Sequence, residues 1–302
     1  MARPAFYGGA MHVRVPATSA NLGPGFDALA LALSWYDDVV ARIADEGLLI
    51  DVAGEGEDLP RDEKHLVVRA MRATFDRLGG QPHGLELACA NRIPHGRGLG
   101  SSAAAIVAGV TLARALVVGG DERFSADDVL ALAAEIEGHP DNVAACLLGG
   151  LTVAWSDPVA HAVRQDCDPS VRPVVFVPNA TSSTKRTRRL LPESVAHADA
   201  AFCAGRAALL VTALSGQPQA LFAATEDRLH QQYRSSAMPK SAELMERLRA
   251  AGLPAVISGA GPTVLVLARD EIEVAAALGA APARWQATEL AVDTGGAQIV
   301  GR

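Results

Sequence analysis

The chain has 302 residues, of which 49% are hydrophobic and 20% are charged. This length and composition allow a sizeable core in one large domain or two ordinary ones, and they exclude disordered and collagen-like proteins. The 27 basic and 34 acidic residues give a formal net charge of −7, and no long basic block is present, which disfavours nucleic-acid binding.

The cysteines and the longest apolar segment predict the compartment. Cys89, Cys146, Cys167 and Cys203 lie far apart without a C-x-x-C pair, so we expect scattered buried thiols in a reducing compartment rather than disulfides or a zinc site. The longest nearly apolar run, residues 143–155, is shorter than the ~20 residues that cross a bilayer, and no signal-peptide core is visible near the N-terminus. We therefore expect a soluble cytoplasmic protein with no membrane partner.

In the first half of the chain, apolar patterning predicts short strands and three helices. The strands are expected near residues 12–16, 38–43, 48–52 and 85–90, with a break at residues 21–25. One helix is expected near residues 66–75. A second, apolar on nearly every face and therefore buried, is expected from residue 101 to about residue 118. A third begins at the N-cap Ser125 and ends near Gly138.

A more polar stretch, residues 157–170, predicts a boundary between two domains, residues 1–165 and residues 166–302. In the second half, strands are expected at residues 172–177, 255–257, 263–268 and 285–292. Helices are expected at about residues 193–249 and at residues 271–278. This β-α-β-β-α-β order is typical of a ferredoxin-like domain. Because strands and helices do not alternate regularly, the fold class is α+β rather than a doubly wound parallel sheet.

A glycine-rich loop before the buried helix is the first candidate site. It consists of Pro94, His95, Gly96, Arg97, Gly98, Leu99, Gly100, Ser101 and Ser102, followed by Ala103 and Ala104. Glycines allow the backbone to approach a ligand closely, and the free N–H groups at a helix start favour phosphate. Ser101 and Ser102 are placed to cap the helix, to contact phosphate or to ligate Mg²⁺. The alternative is a tight turn capped by serine.

Two other phosphate-binding loops do not fit. A Walker A loop needs a lysine at the helix start, and the lysines of this chain are Lys64, Lys185 and Lys240. In a G-x-G-x-x-G fingerprint counted from Gly96, Ser101 occupies the last glycine position. The sequence therefore gives little support to a dinucleotide-binding oxidoreductase.

Two further loops of the first half carry polar and acidic residues. Asn21 and Asp27 lie in the early loop, and Glu137, His139 and Asp141 follow the third helix. A kinase needs a carboxylate for Mg²⁺, and Glu137 at a helix end suits that task. Taken singly, such acids are more often loop caps and such a histidine is more often structural.

The second half contributes a basic cluster and a glycine turn. The cluster spans residues 184–189 and includes Thr184 and Arg188, while Arg234 lies in a separate polar segment. Most surface arginines are simply solvated. A substrate carboxylate, however, favours a bidentate guanidinium. The turn at residues 258–262 is either a plain hairpin or a wall against the phosphate loop.

Together these segments resemble the GHMP family of small-molecule kinases. Residues 94–104 resemble the family's ATP loop, and residues 258–263 (Ser-Gly-Ala-Gly-Pro-Thr) resemble its third motif. Residues 16–27 (Pro-Ala-Thr-Ser-Ala-Asn-Leu-Gly-Pro-Gly-Phe-Asp) and the Gly-His-Pro-Asp-Asn stretch at 138–142 resemble the branch that phosphorylates homoserine. The likeness covers almost the whole chain, in the expected order.

The resemblance implies a two-domain GHMP kinase fold, with an N-terminal domain like ribosomal S5 domain 2 and a ferredoxin-like C-terminal domain. It implies ATP and Mg²⁺ in the cleft between the domains. It also implies transfer of the γ-phosphoryl group to the side-chain hydroxyl of L-homoserine, a step toward threonine, by a homodimer.

The resemblance also implies roles for individual residues. Asn21, Asp27, His139 and Asp141 are expected around homoserine, Arg188 and Arg234 on its carboxylate with Thr184 nearby, and Ser102 and Glu137 on Mg²⁺. One glycine separates Glu137 from His139, where some members have an insertion, so Glu135 is an alternative metal ligand. Asp141 and Asp27 are both weak candidates for a general base, since either suits the substrate amine equally well.

Two other functions stay open at this point. A mevalonate- or shikimate-type kinase has the same scaffold, and Arg188 and Arg234 suit the carboxylate of any of these substrates. A non-catalytic sensor of the same fold is expected to lack the metal acid or the loop serines, whereas this chain has both.

Overall fold

A computed structural model describes residues 4–301, which form two β-sheets with helices packed against them. The strands are β1 (Met11–Asn21), β2 (Gly25–Ala44), β3 (Gly47–Gly54), β4 (Gly84–Asn91), β5 (Leu151–Ser156), β6 (Ala160–Gln165), β7 (Arg172–Val177), β8 (Ala255–Ile257), β9 (Val264–Ala268), β10 (Gln286–Glu289) and β11 (Gln298–Gly301). The helices are α1 (Leu66–Arg77), α2 (Ser101–Leu116), α3 (Gly120–Arg123), α4 (Ala126–Glu137), α5 (Asp141–Leu148), α6 (Thr184–Arg188), α7 (His197–Gly216), α8 (Leu221–Ala224), α9 (Gln231–Arg234), α10 (Pro239–Ala250) and α11 (Glu271–Gly279).

The first sheet follows the order β11-β1-β2-β4-β3, and β5 and β6 extend it from β2. The break predicted at residues 21–25 is confirmed, because Asn21, Leu22 and Gly23 have positive φ. The first half of β2, however, was not predicted. Residues 29–33 are buried on both faces of the sheet, so no alternation of polar and apolar residues marks them as a strand.

Helices α1 and α2 pack together in the first core, and both were predicted. Ser125 caps α4 through a capping box with Asp128, as expected. Of the roles left open for Ser101 and Ser102, the structure does not have the cap: the N-cap of α2 is Gly100 in the left-handed conformation, and no side chain caps this helix. The four cysteines are free thiols; Cys89, Cys146 and Cys203 are buried as predicted, whereas Cys167 is only partly buried.

The connection between the halves differs from the expectation in two respects. The polar stretch contains β6, an edge strand that is antiparallel to β5 and exposes half of its residues. The C-terminal strand β11 returns to pair with β1, so it lies in the first sheet. The boundary between residues 165 and 166 stays a prediction, with this last strand crossing it.

The second sheet is antiparallel and has the order β10-β7-β9-β8. Numbered along the chain, this order is 4-1-3-2, and the connections give the predicted β-α-β-β-α-β arrangement. Strand β8 has the predicted bounds, and β10 is shorter than expected. Residues predicted as one helical region divide into four helices, α7 to α10, and two short 3₁₀ helices, Pro218–Ala220 and Ser235–Ala237.

Helix α7 is long and apolar enough to cross a membrane by length and composition alone, and 22% of its most apolar window is buried. The sequence expectation rested on the longest apolar run, residues 143–155, and did not consider α7 because Asp199 and Arg206 interrupt its apolar residues. A core helix of a soluble protein passes the same test, so the helix is weak evidence for a membrane span.

Two glycines inside helices should respond in opposite ways to replacement by alanine. A Cβ on Gly109 in α2 would lie 2.5 Å from the Val67 carbonyl oxygen, whereas a Cβ on Gly205 in α7 meets nothing within 4 Å. We expect Gly109→Ala to lower the free energy of unfolding by about 1–3 kcal/mol through overpacking. Gly205→Ala, the matched control, should raise it by about 0.5–1 kcal/mol. Urea midpoints measure both, and shifts in the same direction would contradict this account of the α1–α2 contact.

Candidate active site

A polar cavity of about 170 Å³ lies where loops that follow strands of both sheets converge. Its lining brings together most of the predicted site residues. The lining consists of Asn21, Asp27, Gly96, Gly98, Gly100, Ser101, Ser102, Glu137, His139, Asp141, Asn142, Ser182, Thr184, Arg188, Arg234, Gly259, Ala260 and Gly261.

The glycine-rich loop is held against the turn at residues 258–262. Ser258 Oγ donates a hydrogen bond to the Gly98 carbonyl oxygen at 2.6 Å, and Thr263 N–H donates to the Arg97 carbonyl oxygen at 3.2 Å. Gly98 has φ +80°, and a Cβ there would collide with the Ser258 carbonyl oxygen. Of the two predicted roles for this turn, the structure therefore has the wall against the loop.

The start of α2 is bonded to strand β1. Thr18 N–H donates to the Leu99 carbonyl oxygen at 3.1 Å, and a Cβ on Gly100 would collide with Thr18 Oγ1. The first N–H groups of a helix have no partner within the helix and carry partial positive charge. Because Ser101 and Ser102 line the cavity, these groups are available to an anion there.

Ser102 and Glu137 form the acidic corner of the cavity. Ser102 Oγ donates to Glu137 Oε2 at 2.6 Å, and burial raises the pKa of the Glu137 carboxyl although this hydrogen bond opposes the shift. The alternative acid, Glu135, pairs with Arg77 at 2.8 Å, is 65% exposed and lines another surface cavity. The geometry favours Glu137 over Glu135 as the acid that faces the cavity.

A chain of hydrogen bonds fixes the segment between α4 and α5. Asp141 Oδ1 lies 2.6 Å from His139 Nδ1 and accepts from Asn142 N–H at 2.7 Å. Asn142 Oδ1 in turn accepts from Thr18 Oγ1 at 2.8 Å. Burial disfavours the imidazolium, but the hydrogen bond and the charge of Asp141 outweigh it and raise the pKa of His139. His139 is thus a donor held by a buried carboxylate.

The opposite wall carries an acid that is paired with an arginine. Both oxygens of Asp27 accept from Arg188, at 2.7 and 2.8 Å. Asn21 orients this acid, because its Oδ1 accepts from Asp27 N–H at 3.0 Å while its Nδ2 donates to the Gly259 carbonyl oxygen at 2.9 Å. One carboxylate and one guanidinium therefore stand side by side at the cavity surface.

Arg234 is the most unusual charge in the cavity. Its side chain is only 2% exposed, its Nε lacks a hydrogen-bond partner, and none of the ion pairs of residues 4–301 involves it. Burial and the neighbouring Arg188 lower the pKa of the Arg234 guanidinium, although an arginine stays charged in proteins. A buried cation without a counterion is suited to an anionic ligand.

Six residues of the predicted ATP loop do not line the polar cavity, and four of them line neither this cavity nor the one beside it. Pro94, Leu99 and Ala103 are buried, and Arg97 turns away to pair with Glu55 at 3.2 Å. A second, mainly apolar cavity of about 260 Å³ adjoins the loop and includes the predicted residues His95, Ser101, Ser102 and Ala104. The predicted loop therefore borders two adjacent cavities.

Several lining residues were not predicted as site residues. Asn142 lines the cavity and could have been predicted, because it belongs to the Gly-His-Pro-Asp-Asn motif. Ser182 also lines the cavity, but nothing in the sequence marks it as a site residue. His65 lines the apolar cavity, is 4% exposed, and neither of its ring nitrogens has a hydrogen-bond partner.

The sequence matches the family model described as GHMP kinases N terminal domain over residues 65–150, and the one described as GHMP kinases C terminal over residues 206–287. With the split-βαβ sheet and the glycine loop at the cavity, these matches define the class of protein as a GHMP kinase.

Individual relatives narrow this class. The chain is 61% identical to the homoserine kinase of Streptomyces avermitilis, covering 99% of both chains, and 50% identical to that of Clavibacter michiganensis subsp. michiganensis, covering 96% of this chain and 93% of the relative. The crystal structure of homoserine kinase from Cytophaga hutchinsonii matches with a TM-score of 0.85 at 28% identity, covering 99% of this chain and 100% of that one. The chain belongs to the homoserine kinase family.

The His139–Asp141 contact makes a testable prediction about protonation. We expect Asp141→Asn to lower the pKa of His139, because the variant removes the charge and the charged hydrogen bond that contribute most against burial, while the smaller effects of Glu137 and Asp27 remain. NMR titration of the histidine ring protons measures this, with the other histidines of the chain as internal references. An unchanged pKa for His139 would contradict the assignment of Asp141 as its main partner.

Proposed function

We propose that this chain transfers the γ-phosphoryl group of ATP to the side-chain hydroxyl of L-homoserine, giving O-phospho-L-homoserine in threonine biosynthesis. The observation that carries this proposal is the buried, unpaired Arg234 guanidinium, which shares one cavity with acids and with a glycine-rich phosphate loop. A zwitterionic amino acid needs a cation for its carboxylate and an acid for its ammonium group, and this cavity offers both beside a phosphate site.

The nucleotide is proposed to occupy both cavities. The triphosphate lies against the loop that contains Gly96, Gly98 and Gly100, where backbone N–H groups replace the lysine of other phosphate loops. The adenine lies in the adjoining apolar cavity, which shares Ser101 and Ser102 with the polar one. The unpartnered ring nitrogens of His65 are left for the polar edge of the base.

Mg²⁺ is proposed to bind at Ser102 and Glu137. The residues fit this ion, because a hydroxyl and a carboxylate stand 2.6 Å apart and none of the ion pairs of residues 4–301 involves Glu137. Mg²⁺ usually takes one or two protein oxygens together with phosphate oxygens. When bound, it supplies neutralisation of the phosphate charge.

Homoserine is proposed to lie between the acidic and the basic walls. Its carboxylate binds Arg234 and Arg188 with Thr184 nearby, and its ammonium group binds Asp27 and Asp141, with Asn21 and His139 completing the surroundings. Asp27 and Arg188, which pair with each other in the structure, carry the two charges that the ammonium and carboxylate groups of a zwitterion need as partners. Binding therefore breaks the Asp27–Arg188 ion pair and forms two ion pairs with the substrate.

Phosphoryl transfer depends mainly on position and charge neutralisation, so a general base is not required. Of the two acids proposed for that role, Asp27 has both oxygens on Arg188. Among the described residues, the hydrogen bonds that Asp141 accepts all end on Oδ1, which leaves Oδ2 for the substrate. Asp141 is thus the better placed of the two to accept a proton or to anchor the amine.

We also propose a cytoplasmic homodimer that binds neither nucleic acid nor membranes, with two domains that meet near residue 165. The net charge of −7 argues against nucleic-acid binding. The unpaired cysteines support a reducing compartment. The homodimer rests on the resemblance to the family.

An acceptor panel tests the function. We expect a coupled ADP-release assay to give turnover with L-homoserine and none with mevalonate or shikimate. Arg234→Ala should raise the KM for homoserine by about 10- to 100-fold, because a charged hydrogen bond is lost, and should raise the KM for ATP far less. Turnover with mevalonate alone would reject the proposed substrate. Tight ATP binding without transfer to any acceptor would instead indicate a sensor.

Variants of two glutamates on α4 distinguish the proposed metal ligand, Glu137, from the alternative, Glu135. We expect Glu137→Gln to lower kcat by about 100-fold or more, because the variant keeps the shape of the side chain and removes its charge next to the phosphates. Glu135→Gln, the matched control at an exposed ion pair, should leave kcat within about twofold. Magnesium titrations of both variants should show weaker apparent Mg²⁺ affinity only for Glu137→Gln. The opposite pattern would transfer the role to Glu135.

A further inference from the structure

The ring of Phe26 contacts both arginines of the candidate active site. Arg188 Cζ lies 5.4 Å from the ring centroid, and Arg234 Cζ lies 5.1 Å from it. An aromatic ring attracts a nearby cation through its quadrupole. One apolar side chain therefore stabilises two guanidinium groups.

Such support is needed because the two arginines repel each other. Arg234 has no carboxylate partner among the described residues, and the charge of Arg188 adds to burial in lowering its pKa. Arg188 is tied to Asp27, which directly follows Phe26 in the chain. Without the ring, burial and repulsion both favour movement of the Arg234 side chain away from its neighbour.

His230 fixes the same ring and the same arginine from the helix side. The imidazole stacks on Phe26 with centroids 5.1 Å apart, and its Nε2 donates to the Gly23 carbonyl oxygen at 2.8 Å. Nδ1 therefore carries the lone pair and accepts from Arg234 Nη1 at 3.4 Å. The Asp227 carboxylate accepts from the backbone N–H groups of residues 229–231, which holds the turn that carries His230.

We propose that Phe26, supported by His230, is a positioning residue that holds Arg188 and Arg234 side by side for the carboxylate of the substrate. This inference rests on the proposed function and deepens it, because it assigns recognition of the carboxylate to a ring that does not itself carry charge. An amino acid with a free carboxylate benefits from this arrangement. An analogue with an uncharged group in its place does not.

The test replaces the ring and varies the charge of the substrate. The wild-type chain is first shown to phosphorylate L-homoserine, since failure there rejects the proposed function rather than this inference. Phe26→Leu should then raise the KM for homoserine about tenfold, while kcat and the KM for ATP change less than about twofold. With L-homoserine amide, whose carboxamide is uncharged, Phe26→Leu should leave the KM unchanged.

Two further variants control for packing. Phe26→Tyr keeps the aromatic ring and should restore a KM near that of the wild type. Phe222→Leu removes the ring that lies 4.6 Å from Arg249 Cζ, outside the cavity, and should leave both KM values unchanged. An equal rise for homoserine and its amide, or a Phe26→Tyr variant as impaired as Phe26→Leu, would reduce Phe26 to a packing residue and overturn the proposal. An unchanged KM in Phe26→Leu would overturn it as well.

His230→Leu keeps the inference testable if Phe26→Leu does not fold. Loss of the hydrogen bonds to Gly23 and Arg234 should raise the KM for homoserine, again without a matching rise for the amide. Equal effects on the two acceptors would contradict the positioning role.

Discussion

The candidate active site depends on one close approach of backbones. The glycine-rich loop lies between β1, which bonds to Leu99, and the turn at residues 258–262, which bonds to Arg97 and Gly98. Gly98 permits this because its φ of +80° and its lack of a Cβ leave room for the Ser258 carbonyl group. The same contact therefore joins the two halves of the chain and shapes the phosphate site, so the loop has little freedom to move without disturbing both sheets.

The sequence predicted those parts of the fold whose local chemistry is decisive. The Ser125 cap, the glycine stop at Gly138 and the split-βαβ order of the second half all have local signals. The first half of β2 has none, because it is buried on both faces. The return of β11 to β1 depends on long-range pairing that a single sequence does not reveal. Neighbouring residues also misled: serines beside Gly100 suggested a cap, whereas the left-handed glycine takes that position and leaves Ser102 for Glu137.

Most of the candidate site was predictable for a different reason, since its residues belong to motifs. Asn21, Asp27, His139 and Asp141 lie in short segments that resemble motifs of the kinase family, although each residue alone would suit a structural turn. Phe26 and His230 were missed because an apolar ring and an isolated histidine carry no sequence signal for a contact with arginine. Their importance follows only from distances between side chains on separate segments.

Charge in the cavity is arranged before any ligand binds. Asp27 and Arg188 satisfy each other, so both remain ordered at modest electrostatic cost, whereas Arg234 is buried with its charge uncompensated. A carboxylate that reaches Arg234 relieves this cost, but it must also replace Asp27 on Arg188. A ligand with only one charge breaks the Asp27–Arg188 pair and gives a new partner to one of these two residues, so the other is left unpaired. In the proposed binding mode, discrimination in favour of zwitterions arises from the pre-existing ion pair as much as from the new contacts, since removing one partner of a charge pair costs more than the pair contributes.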